Sequence, residues 1–504
     1  MDVTLFRWLA ISVFVCLLVG IGIYAMRRTK TSNDFFLGGR NVGPWISAFA
    51  YGTTYFSAVV FIGYAGKLGW GFGVSVVWIA IGNALVGSLL AWLFLARRTR
   101  EMTVKLNAMT MPEFLEARYQ SKWFKIVAAI IIFVFLIPYC GSVFTGLGFL
   151  FENVLQIDYQ LSLVVMIVIT GVYLILGGYF AVAITDFIQG LIMLVGAVLM
   201  IGYVFSQPQV GGVGGWLSGL NAIDPGLTRL IPEDWLGLLG LVGLTSIGAL
   251  GMPQMVQKFY AIKNEKVIKT ATLVATVFAM VVAGAAYLVG STVRLFFDKV
   301  PLDAAGAFMY NVLIPQLLNE TMPEYLLIAI LLLVLSASMS TLSSLILVSS
   351  SAITIDLIRG VLFPKMDQKH TLGILRLFCG VFIICAILIA IFKLDFIIKL
   401  MALSWGTIAG AFLAPYIYGL FWKGTTKSGA WAGMISGVIL SIGGSLLFTD
   451  EKTAPLISTI AMVIPLIVVP VVSLATKKFH SFHLDTVFER NEAGKAMVAA
   501  AETE

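Results

Sequence analysis

Apolar runs of 20 or more residues recur along this chain, and they decide its fold class before any motif is read. A run of that length crosses a hydrocarbon core of about 30 Å at roughly 1.5 Å per residue. Thirteen such spans are expected, at approximately 5–26, 46–66, 72–96, 124–151, 160–182, 184–206, 235–257, 270–297, 324–350, 372–392, 397–422, 428–448 and 454–475. Helices are the expected spanning form, because a β-barrel would show alternating segments of about 10 residues instead. Composition agrees: 59% of the 504 residues are apolar and 12% are charged, where a soluble domain carries about a quarter charged. The expectation is an all-α polytopic membrane protein.

Charge placement supplies an orientation. With the N-terminus outside and sides alternating, the inside segments collect 25 of the 33 Lys and Arg residues, which favours N-out and C-in because cytoplasmic loops carry the basic excess. The same confinement to short loops argues against reading the net charge of +7 as nucleic-acid binding. The first run is followed by Arg27, Arg28 and Lys30 and reads as a retained helix. Cys16, Cys140, Cys379 and Cys385 all fall in apolar stretches and read as packing residues. The loops are too short for a second domain, so residues 1–480 are expected to form one transmembrane unit, with a polar cytoplasmic tail at 481–504. No phosphate-cradling GxxxxGK[ST] occurs.

An ionisable residue within a span is a functional hypothesis by default, and Asp186 is the one clear case. It follows Thr185 near the start of the sixth span. It reads either as an interfacial aspartate favoured by a helix N-terminus or as a cation ligand. The ninth span carries Ser336-Ala337-Ser338-Met339-Ser340-Thr341-Leu342-Ser343-Ser344, six hydroxyls in nine residues. Positions i, i+3 and i+4 share a helix face, so Ser340, Ser343 and Ser344 group together. Such a face suits a hard cation, which takes oxygen ligands. It equally suits a small-residue packing surface with hydroxyls bonded to i−4 carbonyls. The second span is weakened at Gly52-Thr53-Thr54, and the seventh by Gly240, Gly243, Gly248, Gly251 and Pro253. Interrupted helices at corresponding places of two halves mark the binding site of inverted-repeat transporters.

At these residues the chain resembles the sodium:solute symporter family. The likeness rests on Asp34-Phe35-Phe36-Leu37-Gly38-Gly39-Arg40, on Gly177 to Gln189 with Thr185-Asp186-x-x-Gln189, and on Met339 to Ser344 followed by Ser351-Ala352-Ile353-Thr354-Ile355-Asp356. It covers about residues 5 to 475. It implies a LeuT-type core of two inverted five-helix repeats, about 46–422, with one helix before it and two after. It implies sodium (Na+) held by the carbonyls of Thr53, Phe56 and Ala337 and the hydroxyls of Ser340 and Thr341. It also implies that a second sodium could be held by Asp186, Ser343 and Ser344.

The bacterial sodium/proline and sodium/pantothenate symporters look most similar, which implies a bacterial plasma membrane. Within that likeness the proline carriers' first-core-helix aspartate falls at Tyr55, and the Trp and Tyr of their seventh span fall at Thr245 and Ala249. Tyr139 and Pro253 keep the pattern, and Thr53-x-Tyr55-x-Ser57-Ala58 looks like the pantothenate branch. Tyr55, Ser57, Tyr139 and Pro253 are therefore the substrate candidates, for an amino acid, pantothenate or another monocarboxylate. Lys67 reads either as an attractor of anions or as an interfacial lysine that snorkels. The expected activity is sodium-driven uptake by alternating access, with no enzyme chemistry and no obligatory protein partner. A proton-coupled carrier on the same fold and a passive channel are the alternatives.

Overall fold

The computed structural model describes residues 3–27, 31–302, 306, 308–392, 397–476 and 488. Arg28, Lys30, His480, His483 and nearly all of the expected tail at 481–504 lie outside the described residues. The helices that matter here are α1 (Val3–Met26), α2 (Pro44–Tyr55), α3 (Lys122–Leu155), α4 (Tyr159–Ser206), α5 (Trp235–Gly248), α6 (Pro253–Tyr260), α7 (Lys266–Ser291), α8 (Glu324–Ser351), α9 (Gln368–Ile391), α10 (Ile397–Phe421), α11 (Lys427–Leu447) and α12 (Ala454–Ala475). A further helical stretch, Val59–Lys105, follows α2.

Among the described residues, eleven helices are long and apolar enough to cross a membrane. The expected thirteen divide the chain more finely, for two local reasons. Val59–Lys105 takes in the end of the second expected span and all of the third, with a turn at Gly73. Gly73 adopts φ 55° and ψ −126°, and a Cβ there would lie 2.2 Å from the Leu227 carbonyl oxygen. The fifth and sixth spans are the two arms of α4, kinked at Gly178 with φ 60° and ψ −153°, and the eleven take in only the arm Gly178–Ser206. Only glycine reaches that backbone region without strain.

The helix ends are written in local chemistry. Thr31 and Asp34 form a capping box, Ser121 caps α3 by accepting from the Phe124 amide, and Asp158 caps α4. These side chains satisfy amides that a helix start leaves without partners.

The packed bundle shows lipid-type polarity. Leu93, Phe94, Val195, Val198, Ile384, Leu388, Ile467 and Val471 are each more than half exposed, whereas Asp186, Lys258 and Asp356 are buried. Water would favour the reverse; a bilayer favours this. α8 lies at the centre, packed against α2, α3, α4 and α6, while α10, α11 and α12 pack together at the side, with α5 against α12. The four cysteines are free.

Segments expected on one side of the membrane meet at one end of the bundle. Arg40 donates to the carbonyls of Ala108 and Tyr260, Arg97 pairs with Glu265 at 3.0 Å, and Arg118 donates to the Gly419 carbonyl. Segments expected on the other side also meet: Arg7 with Glu324, and Lys67 with Glu451.

Candidate functional site

The second expected span is broken, but later than its glycine suggested. α2 runs through Gly52, Thr53 and Thr54 and ends at Tyr55; Phe56 is extended at φ −112° and ψ 132°. Gly52 serves packing instead, since a Cβ there would lie 2.4 Å from the Phe278 ring. The chain resumes as helix from Ala58. The Ala58 amide, orphaned by the break, donates to Ser338 Oγ of α8 at 2.9 Å. The seventh expected span is broken between Gly248 and Pro253. Met252 is extended there, and Pro253 opens α6 at a position where its missing N–H costs nothing.

The first break directs carbonyls at α8. Thr341 Oγ1 stands 3.0 Å from the carbonyl oxygen of Ala337, 3.2 Å from Thr54, 3.3 Å from Phe56 and 3.4 Å from Thr53. A hydroxyl has one proton and satisfies one acceptor, so the remaining carbonyls converge with their lone pairs free of it. The spacing is also longer than an O–H···O bond of about 2.7–2.8 Å. Oxygens held octahedrally around one ion at about 2.4 Å would stand roughly 3.4 Å apart, by analogy with calcium. The donor set is therefore suited to a hard cation.

Ser340 faces a different way. Its hydroxyl lies 2.6 Å from Asp186 Oδ1 and 2.7 Å from Thr53 Oγ1. The carboxylate is the stronger acceptor, so the Ser340 proton is drawn toward Asp186 and its oxygen lone pairs are turned away from it. Ser344 Oγ lies 2.9 Å from Thr54 Oγ1. Ser343 donates back to the Met339 carbonyl at 2.6 Å, one form of the packing alternative.

The structure corrects the view that Asp186 is the one ionisable group in the spans. Lys258, expected in an inside loop, is fully buried on α6. Its Nζ lies 2.9 Å from Ser344 Oγ, 3.5 Å from Asp186 Oδ2 and 5.1 Å from the centre of the Tyr179 ring. The signal was present in Pro253: a helix restarted there carries Lys258 only five residues, about 7.5 Å, further along, still within the protein. Asp356 is also buried and accepts from Thr110 at 2.6 Å.

Three of the substrate candidates gather beside the break. The Tyr55 hydroxyl donates to the Thr245 carbonyl at 2.7 Å and lies 3.3 Å from Asn83 Oδ1. Its ring stacks on Phe56 at 4.6 Å and on Trp405 at 6.3 Å, and Tyr139 meets Trp405 edge-on at 5.7 Å. Ser57 accepts from the Val59 amide and neighbours Tyr139. Trp405 and Asn83 carried no motif in the sequence. Pro253 stands apart from this group, lining a small cavity with Phe36, Thr110, Tyr260 and Asp356. Lys67 is engaged by Glu451 and lies over the Tyr310 ring at 5.2 Å.

A helical membrane bundle with two broken helices, and an oxygen cluster where one break meets a hydroxyl-rich helix, defines a secondary transporter. The model of the Sodium:solute symporter family matches residues 35–437, and the chain belongs to that family. The osmoregulated proline transporter OpuE of Bacillus subtilis is 31% identical over 428 residues, covering 84% of this chain and 85% of that protein. A sodium/proline symporter of Staphylococcus aureus (strain bovine RF122 / ET3-1) is 32% identical over 445 residues, covering 86% and 85%. The solved structure of a Na+-coupled sialic acid symporter in a substrate-bound outward-open state superposes with a TM-score of 0.77 at 20% identity, covering 94% of this chain and 99% of that one. The fold is thus of the LeuT type, and the protein is a sodium-coupled solute symporter of the membrane, not an enzyme.

Proposed function

We propose that this symporter takes up a small organic solute together with one sodium ion bound where α2 breaks against α8. The ligands are the carbonyls of Thr53, Phe56 and Ala337 and the hydroxyls of Ser340 and Thr341, with the Thr54 carbonyl a further candidate. The observation that carries this is the convergence of four carbonyl oxygens on Thr341 Oγ1 at 3.0–3.4 Å. Sodium there joins the two arms of the first core helix to α8, which favours the solute-ready state. Each ligand then raises the affinity for the other by the same factor.

The solute is an amino acid, pantothenate or another monocarboxylate, held beside the first break by Tyr55, Ser57 and Tyr139, with Trp405 as an aromatic wall. Pro253 acts by fixing the second break. The relatives named for proline make proline the first compound to try, although Tyr55 stands where the proline carriers hold an aspartate. Thermal-shift measurements with amino acids, monocarboxylates, pantothenate and sugars, each with and without sodium, identify the solute: the true one stabilises more in sodium. The core is 46–422, the membrane is a bacterial plasma membrane, and the N-terminus is outside with the tail at 481–504 inside.

The site is tested in reconstituted protein by Thr341→Ala. Half-saturating sodium for uptake is expected to rise tenfold or more, which is about 1.4 kcal/mol of lost binding. Unchanged sodium dependence would remove the assignment.

A further inference from the structure

We propose that Lys258 is a built-in cation that fills the second ion site, so that the protein carries a single sodium per cycle. The inference rests on the reading of Thr341 as the centre of the first site, and deepens it. The second site would consist of Asp186, Ser343 and Ser344. In the structure Lys258 Nζ is already held by two of these three, at 2.9 Å from Ser344 Oγ and 3.5 Å from Asp186 Oδ2. Its third neighbour is the face of Tyr179, at 5.1 Å, an arrangement that suits an ammonium.

The charge count supports the same conclusion. Asp186 and Lys258 are both fully buried, and their unit charges cancel. A second sodium between them would add an uncompensated positive charge to a buried site, beside an ammonium that cannot diffuse away. Like charges in low dielectric repel strongly. The first site escapes this objection because Ser340 stands between it and the pair: its proton goes to Asp186 Oδ1, the oxygen opposite the one nearest Lys258, which leaves its oxygen lone pairs for the first ion.

The lysine also reaches across the fold. It extends from α6, beyond the second break, to Asp186 on α4 and Ser344 on α8, and Ser344 touches Thr54 on α2. A sodium ion at this place would be delivered and released each cycle. A tethered ammonium takes up the Asp186 and Ser344 contacts and stays with the protein, so it moves no ion down the gradient.

The test counts ions and needs no solute. Binding of radioactive sodium to the purified full-length protein is expected to saturate at one ion per chain with a Hill coefficient of one. Lys258→Gln frees Asp186 and is expected to double the bound sodium. Adding Asp186→Asn to that variant returns it to one. Two ions bound to the wild-type protein would overturn the proposal outright, whatever the variants do. So would a Lys258→Gln protein that keeps its sodium-dependent thermal stabilisation but binds one ion. Thr341→Ala separates the two readings: loss of the wild-type ion supports the first site, and Thr341→Ala added to Lys258→Gln leaves the ion at Asp186. If Thr341→Ala leaves wild-type binding intact while Lys258→Gln doubles it, the first-site assignment fails and the role of Lys258 stands.

Discussion

At the scale of single residues, the proposed site depends on groups that a linear reading weighs unevenly. Ser340 and Thr341 were legible because six hydroxyls in nine residues are conspicuous on a membrane helix. Their division of labour was not, because it depends on side-chain direction: Thr341 faces the carbonyls of the break and Ser340 faces Asp186. Lys258 was missed because a basic residue at the edge of an apolar run resembles a loop charge. Only the restart of the helix at Pro253 carries it inside. Gly178 and Gly52 show a similar division. A Cβ at Gly178 would meet Phe35 at 2.7 Å in a backbone conformation closed to other residues, whereas Gly52 is helical and its nearest neighbour would be the Phe278 ring. Gly178→Ala is therefore expected to cost about 2–4 kcal/mol, combining strain and overpacking. Gly52→Ala is expected to cost less, since the ring can shift. Thermal unfolding of the two purified variants in detergent checks the order; equal or reversed losses would contradict it.

At the scale of elements, the sequence announced that the second and seventh spans would be interrupted, and both are. The interruption in the second lies at Phe56, not at the Gly52-Thr53-Thr54 weak point. Helix propensity alone does not place a break, because the partner that satisfies the freed groups decides where it is stable. Here that partner is α8, whose Ser338 Oγ accepts from the Ala58 amide and whose Thr341 meets the carbonyls freed by the break. Ser338→Ala removes this cross-helix cap. It is expected to lower stability by about 1–2 kcal/mol, as loss of a buried cap does. It should also weaken sodium binding, since the break that supplies the carbonyls would relax. Sodium titration by intrinsic fluorescence, read beside thermal unfolding, tests both; an unchanged sodium affinity would show that the break holds its shape without α8.

At the scale of the whole molecule, the fold class was the most legible feature, because apolar runs of spanning length leave few alternatives. The turns at Gly73 and Gly178 were less visible, since a glycine in a glycine-rich chain gives no sign of whether it has positive φ. Contacts between distant loops group the basic segments at one end of the bundle, and the proposed orientation puts that end in the cytoplasm. Labelling of a cysteine introduced at Lys423 in intact cells is expected to fail with membrane-impermeant reagents and succeed after permeabilisation; labelling from outside would invert the topology. The energetics of one sodium follow simply. A potential of about 100 mV contributes about 2.3 kcal/mol, and a tenfold sodium gradient about 1.4 kcal/mol. Together they sustain roughly 500-fold accumulation of a neutral solute. The most direct test of sodium coupling is solute accumulation in liposomes under a tenfold inward sodium gradient, with the potential clamped at zero. One coupled sodium predicts an internal solute concentration about ten times the external one; equal concentrations on the two sides, or the same accumulation without sodium, would contradict it.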